Sequence, residues 1–206
     1  TAYFFSHNNK LEIVWTVVPT IILTALIIYG LRTWDRSMNP DISEAQVIEI
    51  YGKQFQWTAR LSGNDNKLGK ANYKFVTGKN SLGVDIEDTN AVDDKLVREV
   101  HLVVDKPVLL KFRSQDVIHS AFLPHFRVQM NCVPGLSTQF AFTPTQTTSE
   151  MKQQEGADFE YVLLCNKICG AAHYNMQMNF IVETQEEYNA WIASQKTLSE
   201  KLLTQK

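Results

Sequence analysis

The sequence predicts an all-β domain attached to a membrane helix, with a further helix at its C-terminal end. Three observations point there. Nineteen consecutive residues, Ile13–Leu31 (IVWTVVPTIILTALIIYGL), carry no charge. From Gln46 onward, apolar residues recur at every second position in short runs. Pro, Gly, Asn and Asp punctuate those runs. The 206 residues are 44% hydrophobic and 20% charged, with a net charge of −2. That composition excludes a disordered chain, a collagen-like chain and a disulfide-rich miniprotein. It also argues against nucleic-acid binding, which draws on a basic face.

At about 1.5 Å per residue the uncharged run spans roughly 28 Å, close to the ~30 Å hydrocarbon core of a bilayer. Trp15 and Trp34 flank it as interfacial aromatics do. Pro19 is tolerable in a membrane helix whose neighbours re-satisfy the backbone. A signal peptide has a shorter apolar region ending at small residues, and no such cleavage site follows. Lys10 precedes the run, while Arg32 and Arg36 follow it, so a charge count mildly favours the C-terminal side as cytoplasmic.

The β-domain follows Pro40. Gln46–Ile50 and Lys53–Trp57 alternate as strands do, and Ser62–Lys70 is turn-rich. Asn80–Asp94 holds five acids and no base except Lys79 at its border. Strand-like runs resume at Glu99–Val104, Val108–Arg113, Gln139–Thr143, Phe159–Leu164 and Met178–Glu183. Short strands at this spacing predict an antiparallel sandwich or barrel. From Thr184, residues Tyr188, Trp191, Ile192 and Leu198 form the apolar stripe of an amphipathic helix. The expected division is therefore 1–40, a membrane helix with flanks; 41–183, the β-domain with an acidic insertion around 62–96; and 184–206, the terminal helix.

The chemistry concentrates late in the chain. Cys165, Cys169, His173 and Met176 lie in the string CNKICGAAHYNM, with His119 upstream. Two thiols, imidazole and a thioether favour copper, because zinc seldom takes a thioether. Two other readings stand beside this one. The four residues at 165, 169, 173 and 176 also share one face of an ideal helix, where Cys serves as a small core residue. A disulfide between Cys165 and Cys169 is the other.

With these residues set out, the chain resembles subunit II of the haem–copper cytochrome c oxidases. Cys165–Met176 is similar to that family's Cys-x-x-x-Cys-Gly-x-x-His-x-x-Met loop. Asp116–Gly135 (DVIHSAFLPHFRVQMNCVPG) is similar to its upstream histidine string. Tyr51–Trp57 (YGKQFQW) and the run from Leu11 (LEIVWTVVPTIIL) resemble its aromatic stretch and second membrane helix. The resemblance implies a cupredoxin-like Greek-key domain carrying CuA, a dinuclear copper centre. Cys165 and Cys169 would bridge both ions, His119 and His173 would each hold one, Met176 would be a weak ligand, and Lys167 would offer its backbone carbonyl. The implied role is to take electrons from cytochrome c and pass them to haem in subunit I, where oxygen is reduced to water with proton pumping. The implied partners are subunits I and III, cytochrome c (free or in a complex such as an alternative complex III) and the lipid bilayer. The haem belongs to the partner subunit only.

The resemblance also implies that the β-domain lies outside the cytoplasm, in the periplasm or intermembrane space, and the departures from the family pattern set out below favour the bacterial inner membrane over the mitochondrial one. That reverses the charge count. The family has two membrane helices, so a preceding segment with a first span is expected. Some positions depart from the family pattern. Lys167 replaces a Glu that helps bind magnesium at the subunit I interface, and an ammonium offers no lone pair, which puts that magnesium site in doubt. Phe55 replaces the Trp where electrons arrive, leaving Phe55 and Trp57 as candidates for that step. Gln129 and Asn131 replace charged residues, and Cys132 reads as a packed thiol. Glu12 matches a carboxylate at the mouth of a proton path, beside the reading of a simple interfacial charge. The acids of Asp85–Asp94 either steer a basic partner or form a solvated loop. His7, His101 and His125 have no partner in the motif. Rival readings are a quinol oxidase subunit II, the copper domain of nitrous oxide reductase and a zinc-binding membrane protein.

Overall fold

Asparagine 8 starts the first helix of the computed structural model, which describes residues 3–4, 6–38 and 43–203. The Asn8 side chain accepts from Leu11 N–H (3.2 Å), and Asn8 N–H donates to Glu12 Oε1 (3.2 Å). This reciprocal pair satisfies two donors that a helix start leaves free, and it puts a carboxylate at the positive end of the helix dipole. Helix α1 runs Asn9–Met38. Its segment Asn9–Arg36 has a mean hydropathy of 2.2, long and apolar enough to cross a bilayer. Trp15, Ile21, Leu26 and Trp34 are each about 60% exposed within the described residues, as a lipid-facing helix requires. Thr20 and Thr33 fold their hydroxyls back onto the Thr16 and Tyr29 carbonyls, so neither leaves a free donor in hydrocarbon.

Two compact units divide the chain, Thr1–Pro40 and Asp41–Lys206. Among its described residues the second holds ten strands: β1 Gln46–Lys53, β2 Gln56–Leu61, β3 Lys95–Val97, β4 Val100–Val103, β5 Val108–Ser114, β6 His119–Leu123, β7 Val128–Cys132, β8 Thr138–Phe142, β9 Tyr161–Cys165 and β10 Gln177–Glu183. They form two five-stranded sheets, ordered β3-β2-β1-β5-β8 and β4-β10-β9-β6-β7. Alternate residues point inward. Ile48, Ile50, Ala59, Leu110 and Phe112 of the first sheet meet Leu102, Leu123, Leu163 and Phe180 of the second, all nearly inaccessible. This apolar contact holds the sheets together.

The sheets differ from the sequence expectation in three ways. They are mixed rather than antiparallel: β1 pairs with β5 in parallel from Gln46↔Val108 to Gly52↔Ser114, and β4 pairs with β10 in parallel. The long connection from β2 through the insertion gives the chain room to return in the same direction. The run Lys53–Trp57 is a hairpin rather than a strand, with Lys53↔Gln56 and Gly52↔Trp57 paired across it. The terminal helix is two helices, α3 Gln185–Ser194 and α4 Leu198–Leu203; a third helix, α2 Thr148–Glu155, precedes β9. Thr147 and Thr184 cap α2 and α3 with full capping boxes.

The inserted segment folds back over the outer face of the first sheet. There, Arg60 is 2% exposed and donates to Glu49 Oε2 and Asp94 Oδ2, both at 2.9 Å. Arg113 reaches Glu49 Oε1 at 3.1 Å. Asp94 is therefore fully buried, which corrects the expectation that the acids of 85–94 share one solvated or steering surface. Burial drives its carboxyl up to about 6, against the opposing pull of Arg60. The end of the insertion is clasped by α4 and the residues before it. Leu198 N–H donates to the Asp94 carbonyl, Ser199 to the Val92 carbonyl and Lys95 Nζ to the Ile192 carbonyl. Leu198 packs in a small cluster with Tyr51, Leu82, Val84 and Ala91.

Candidate metal centre

Two neighbouring strands place the ligand candidates. β6 begins at His119, β9 ends at Cys165, and the register Ala121↔Cys165 sets them side by side. Asn166 N–H donates to the Ser120 carbonyl (2.9 Å) and Cys165 N–H to the Met176 carbonyl (3.1 Å), so the segment between β9 and β10 is a loop tied at its neck. The helical-face reading of Cys165–Met176 is thereby excluded. Within the loop His173 N–H donates to the Gly170 carbonyl and Met176 N–H to the His173 carbonyl, each at 3.2 Å. Those turns fold the donors inward.

The donor atoms converge. Cys165 Sγ lies 3.8 Å from Cys169 Sγ and 3.8 Å from His119 Nδ1. Cys169 Sγ lies 3.6 Å from His173 Nδ1 and 3.9 Å from Met176 Sδ. The Lys167 carbonyl oxygen is 3.3 Å from Cys165 Sγ, while its side chain is exposed. Ligand atoms of His119, Cys165 and Cys169 all fall within 4.8 Å of one another. Two donors about 2.3 Å from a shared ion can be no more than about 4.6 Å apart, so each of these close pairs fits one. The sulfurs are 3.8 Å apart and unbonded, against the disulfide reading. Burial, and after it the Cys165 sulfur, push the Cys169 thiol up to about 11. A bound cation supplies the positive charge that a thiolate needs there.

His119 is fully buried and its ring is held on three sides. Nε2 faces Asp116 Oδ1 at 2.9 Å. A carboxylate only accepts, so the ring proton sits on Nε2 and the Nδ1 lone pair faces the sulfurs. Asp116 in turn accepts from Gln54 N–H (2.7 Å) and Val117 N–H (2.7 Å). Burial works to raise its carboxyl, but these bonds together hold it below the usual range. Trp57 meets the His119 ring edge-on, with centroids 5.8 Å apart, and its indole N–H points at the Met176 carbonyl (3.4 Å). Gly52 leaves room for both rings: a Cβ there would stand 3.0 Å from His119 Cδ2 and from Trp57 Cζ3.

The other candidates fall as follows. Phe55 is half-buried and lies against Gly170, whose φ of +143° and crowded surroundings suit glycine alone. Cys132 stands opposite His119 across the β6–β7 pair, fully buried, with its thiol pushed up to about 12 by burial; it is outside the donor group. Gln129 and Asn131 lie on the exposed face of β7. His101 is buried between Glu183 (2.7 Å) and the Trp191 ring stacked at 3.9 Å, and His125 packs edge-on against Phe159 and Tyr161. Glu12 belongs to the other unit. Sequence reasoning missed Gln54 and the positioning role of Asp116. The latter had a signal, since Asp116 lies three residues before His119 in a quoted motif, whereas Gln54 had none.

Comparisons with known proteins agree with this geometry. The family pattern described as cytochrome C oxidase subunit II, periplasmic domain, matches residues 46–184, and its transmembrane-domain counterpart matches residues 1–33. The chain is 34% identical to the alternative cytochrome c oxidase subunit 2 of Bradyrhizobium diazoefficiens, over 96% of this chain and 68% of that protein. It is 28% identical to cytochrome c oxidase subunit 2 of Synechocystis sp., over 91% of this chain but 58% of that protein. Against cytochrome c oxidase subunit 2 of Cereibacter sphaeroides it is 29% identical, over 91% of this chain and 61% of that protein. The chain thus spans roughly three-fifths to two-thirds of these relatives' lengths. The β-domain shares its fold with the periplasmic domain of subunit II of cytochrome oxidase of Bradyrhizobium japonicum, at a TM-score of 0.51 and 21% identity, covering 74% of this chain and 94% of that one. With matches to both the helix and the β-domain, the chain belongs to the cytochrome c oxidase subunit II family.

Proposed function

We propose that the chain is the electron-accepting subunit of a respiratory cytochrome c oxidase, with its β-domain in the periplasm of a bacterial inner membrane. It receives electrons from cytochrome c and delivers them towards haem in subunit I, where oxygen is reduced to water and protons are pumped. The convergence of Cys165, Cys169, His119, His173 and Met176 on one small volume carries this reading. Cys165 and Cys169 lie between the two imidazoles and would hold copper together with them, with Met176 and the Lys167 carbonyl as outlying donors. Copper held there would supply a one-electron redox couple.

The protein's own contribution is a fixed setting. His119 and Met176 are at most 1% exposed and Cys169 is 6% exposed, so water has little access to these three donors, while Cys165 and His173 are half-buried. Asp116 fixes the His119 tautomer, and Trp57 braces both the ring and the Met176 carbonyl. Donors whose positions are set by two strands and a tied loop move little between charge states, which favours rapid electron transfer. Phe55, against the metal loop, and Trp57, against His119, are the aromatic residues placed to carry electrons inward. The Lys167 ammonium offers no ligand to magnesium at the subunit I face. Glu12 caps helix α1, and turnover of Glu12→Gln in the assembled oxidase decides whether it also admits protons.

Purification of the full chain in detergent, with metal analysis and visible spectroscopy, tests the reading. A purple, mixed-valence protein with two coppers per chain is expected. A colourless protein holding zinc would overturn it, and the Met176 thioether argues against that outcome.

A further inference from the structure

The two halves of the metal centre come from distant parts of the sequence. His119 stands at the head of β6, and Cys169 lies in the loop after β9. One residue from a third place reaches both. At the β1–β2 turn, Gln54 N–H donates to Asp116 Oδ2 at 2.7 Å, and Asp116 holds His119 through Oδ1. The Gln54 side chain turns the other way, and its Nε2 donates to the Cys169 carbonyl at 2.5 Å. Gly170 seats this crossing: a Cβ there would come within 2.8 Å of Gln54 Nε2 and of the Phe55 ring.

We propose that Gln54 is a positioning residue that sets the separation of the two halves of the centre. Its main chain acts on the imidazole side through Asp116, and its side-chain amide acts on the thiolate side through the Cys169 carbonyl. The inference deepens the copper reading and rests on it for its redox meaning, but the strap itself is built from protein atoms alone. Gln54 is exposed and outside the hydrophobic core, so its loss leaves apolar packing intact. Its effect is confined to the geometry of the loop. Asn or Ser at this position would be too short to span to the carbonyl, whereas Lys keeps a donor one bond further out.

Two measurements on the full chain in detergent test this. In the copper-free protein, hydrogen exchange is compared between the parent and Gln54→Leu. Faster exchange by about threefold to tenfold, the size of one neutral hydrogen bond, is expected at amides 166–173, with β5 and β10 unchanged. Unchanged exchange in the loop, or an acceleration spread evenly over the domain, overturns the proposal. In the copper-loaded protein, Gln54→Leu is expected to lose metal to a chelator about threefold to tenfold faster and to shift the reduction potential, with partial restoration in Gln54→Lys. Loss at the parental rate with the parental potential overturns it. A parent chain that takes up no copper refutes the metal reading instead, and the exchange comparison still decides the strap.

Discussion

Substituting Gly52 by Ala probes how tightly the histidine side of the centre is held. Gly52 lies in β1, paired with Trp57 across the hairpin and with Ser114 of β5. Its role is spatial. The added methyl would sit 3.0 Å from His119 Cδ2, 3.0 Å from Trp57 Cζ3 and 3.2 Å from His119 Cγ. Carbon atoms prefer about 3.5–4.0 Å, so the rings must give way by about a few tenths of an ångström. Neither is free to do so. His119 is tied through Nε2 to Asp116 at 2.9 Å, and Trp57 is 4% exposed in the core. Overpacking of this kind costs about 1–3 kcal/mol. In a domain of this size each kcal/mol lowers the melting temperature by about 2–4 °C, so Gly52→Ala should melt roughly 2–12 °C below the parent. The assay is thermal unfolding of the copper-free chain in detergent, followed by the rate of copper loss to a chelator, which should rise as His119 is displaced. A melting temperature and a loss rate both equal to the parent's would show that the rings yield freely, and the rigid-ring argument would fail.

Three further outcomes follow from the same structure. The Asp94 carboxyl has a folded-state value of about 6, above its ordinary 3.8, so its contribution to stability is fully present below about pH 4 and is lost as the pH rises through 6. The stability of the parent minus that of Asp94→Asn should therefore fall between pH 4 and 7 in urea unfolding; a flat difference would contradict the assignment. Leu198→Ala removes a side chain that is 3% exposed and covers Leu82 and Val84. It should cost about 2–4 kcal/mol and speed proteolysis within 62–94, while copper content is unchanged. Met176→Leu conserves volume at a buried site and should cost under about 1.5 kcal/mol, yet it removes the thioether. The copper spectrum and reduction potential should shift while the melting temperature falls by no more than about 6 °C, and an unaltered spectrum would show that Met176 is not a ligand.

Local pattern made part of this molecule legible. The Cys, His and Met spacing stood out because few structural needs bring such donors together. Alternation marked β1, β5 and β10 because each has one face in the core. β6 was missed because His119 and Ser120 interrupt its apolar run, although both are buried. The parallel pairing of β1 with β5 is set by how the sheets close, which no short window contains. Asp94 looked like its acidic neighbours because its partner Arg60 lies 34 residues away. Gln54 was silent for another reason: half of its action runs through a main-chain N–H that every residue but proline has.

The clasp on the insertion also sets an order of events. Residues 62–94 leave the ribosome more than a hundred residues before Leu198, Ser199 and Lys201, which fasten the insertion's end and the strand beyond it. The sheets can pair, and the loop carrying Cys165 to Met176 can close at its neck, while the insertion still lacks its last fastening. The outer cover is thus fastened by residues that are made after every residue of the loop carrying Cys165 to Met176.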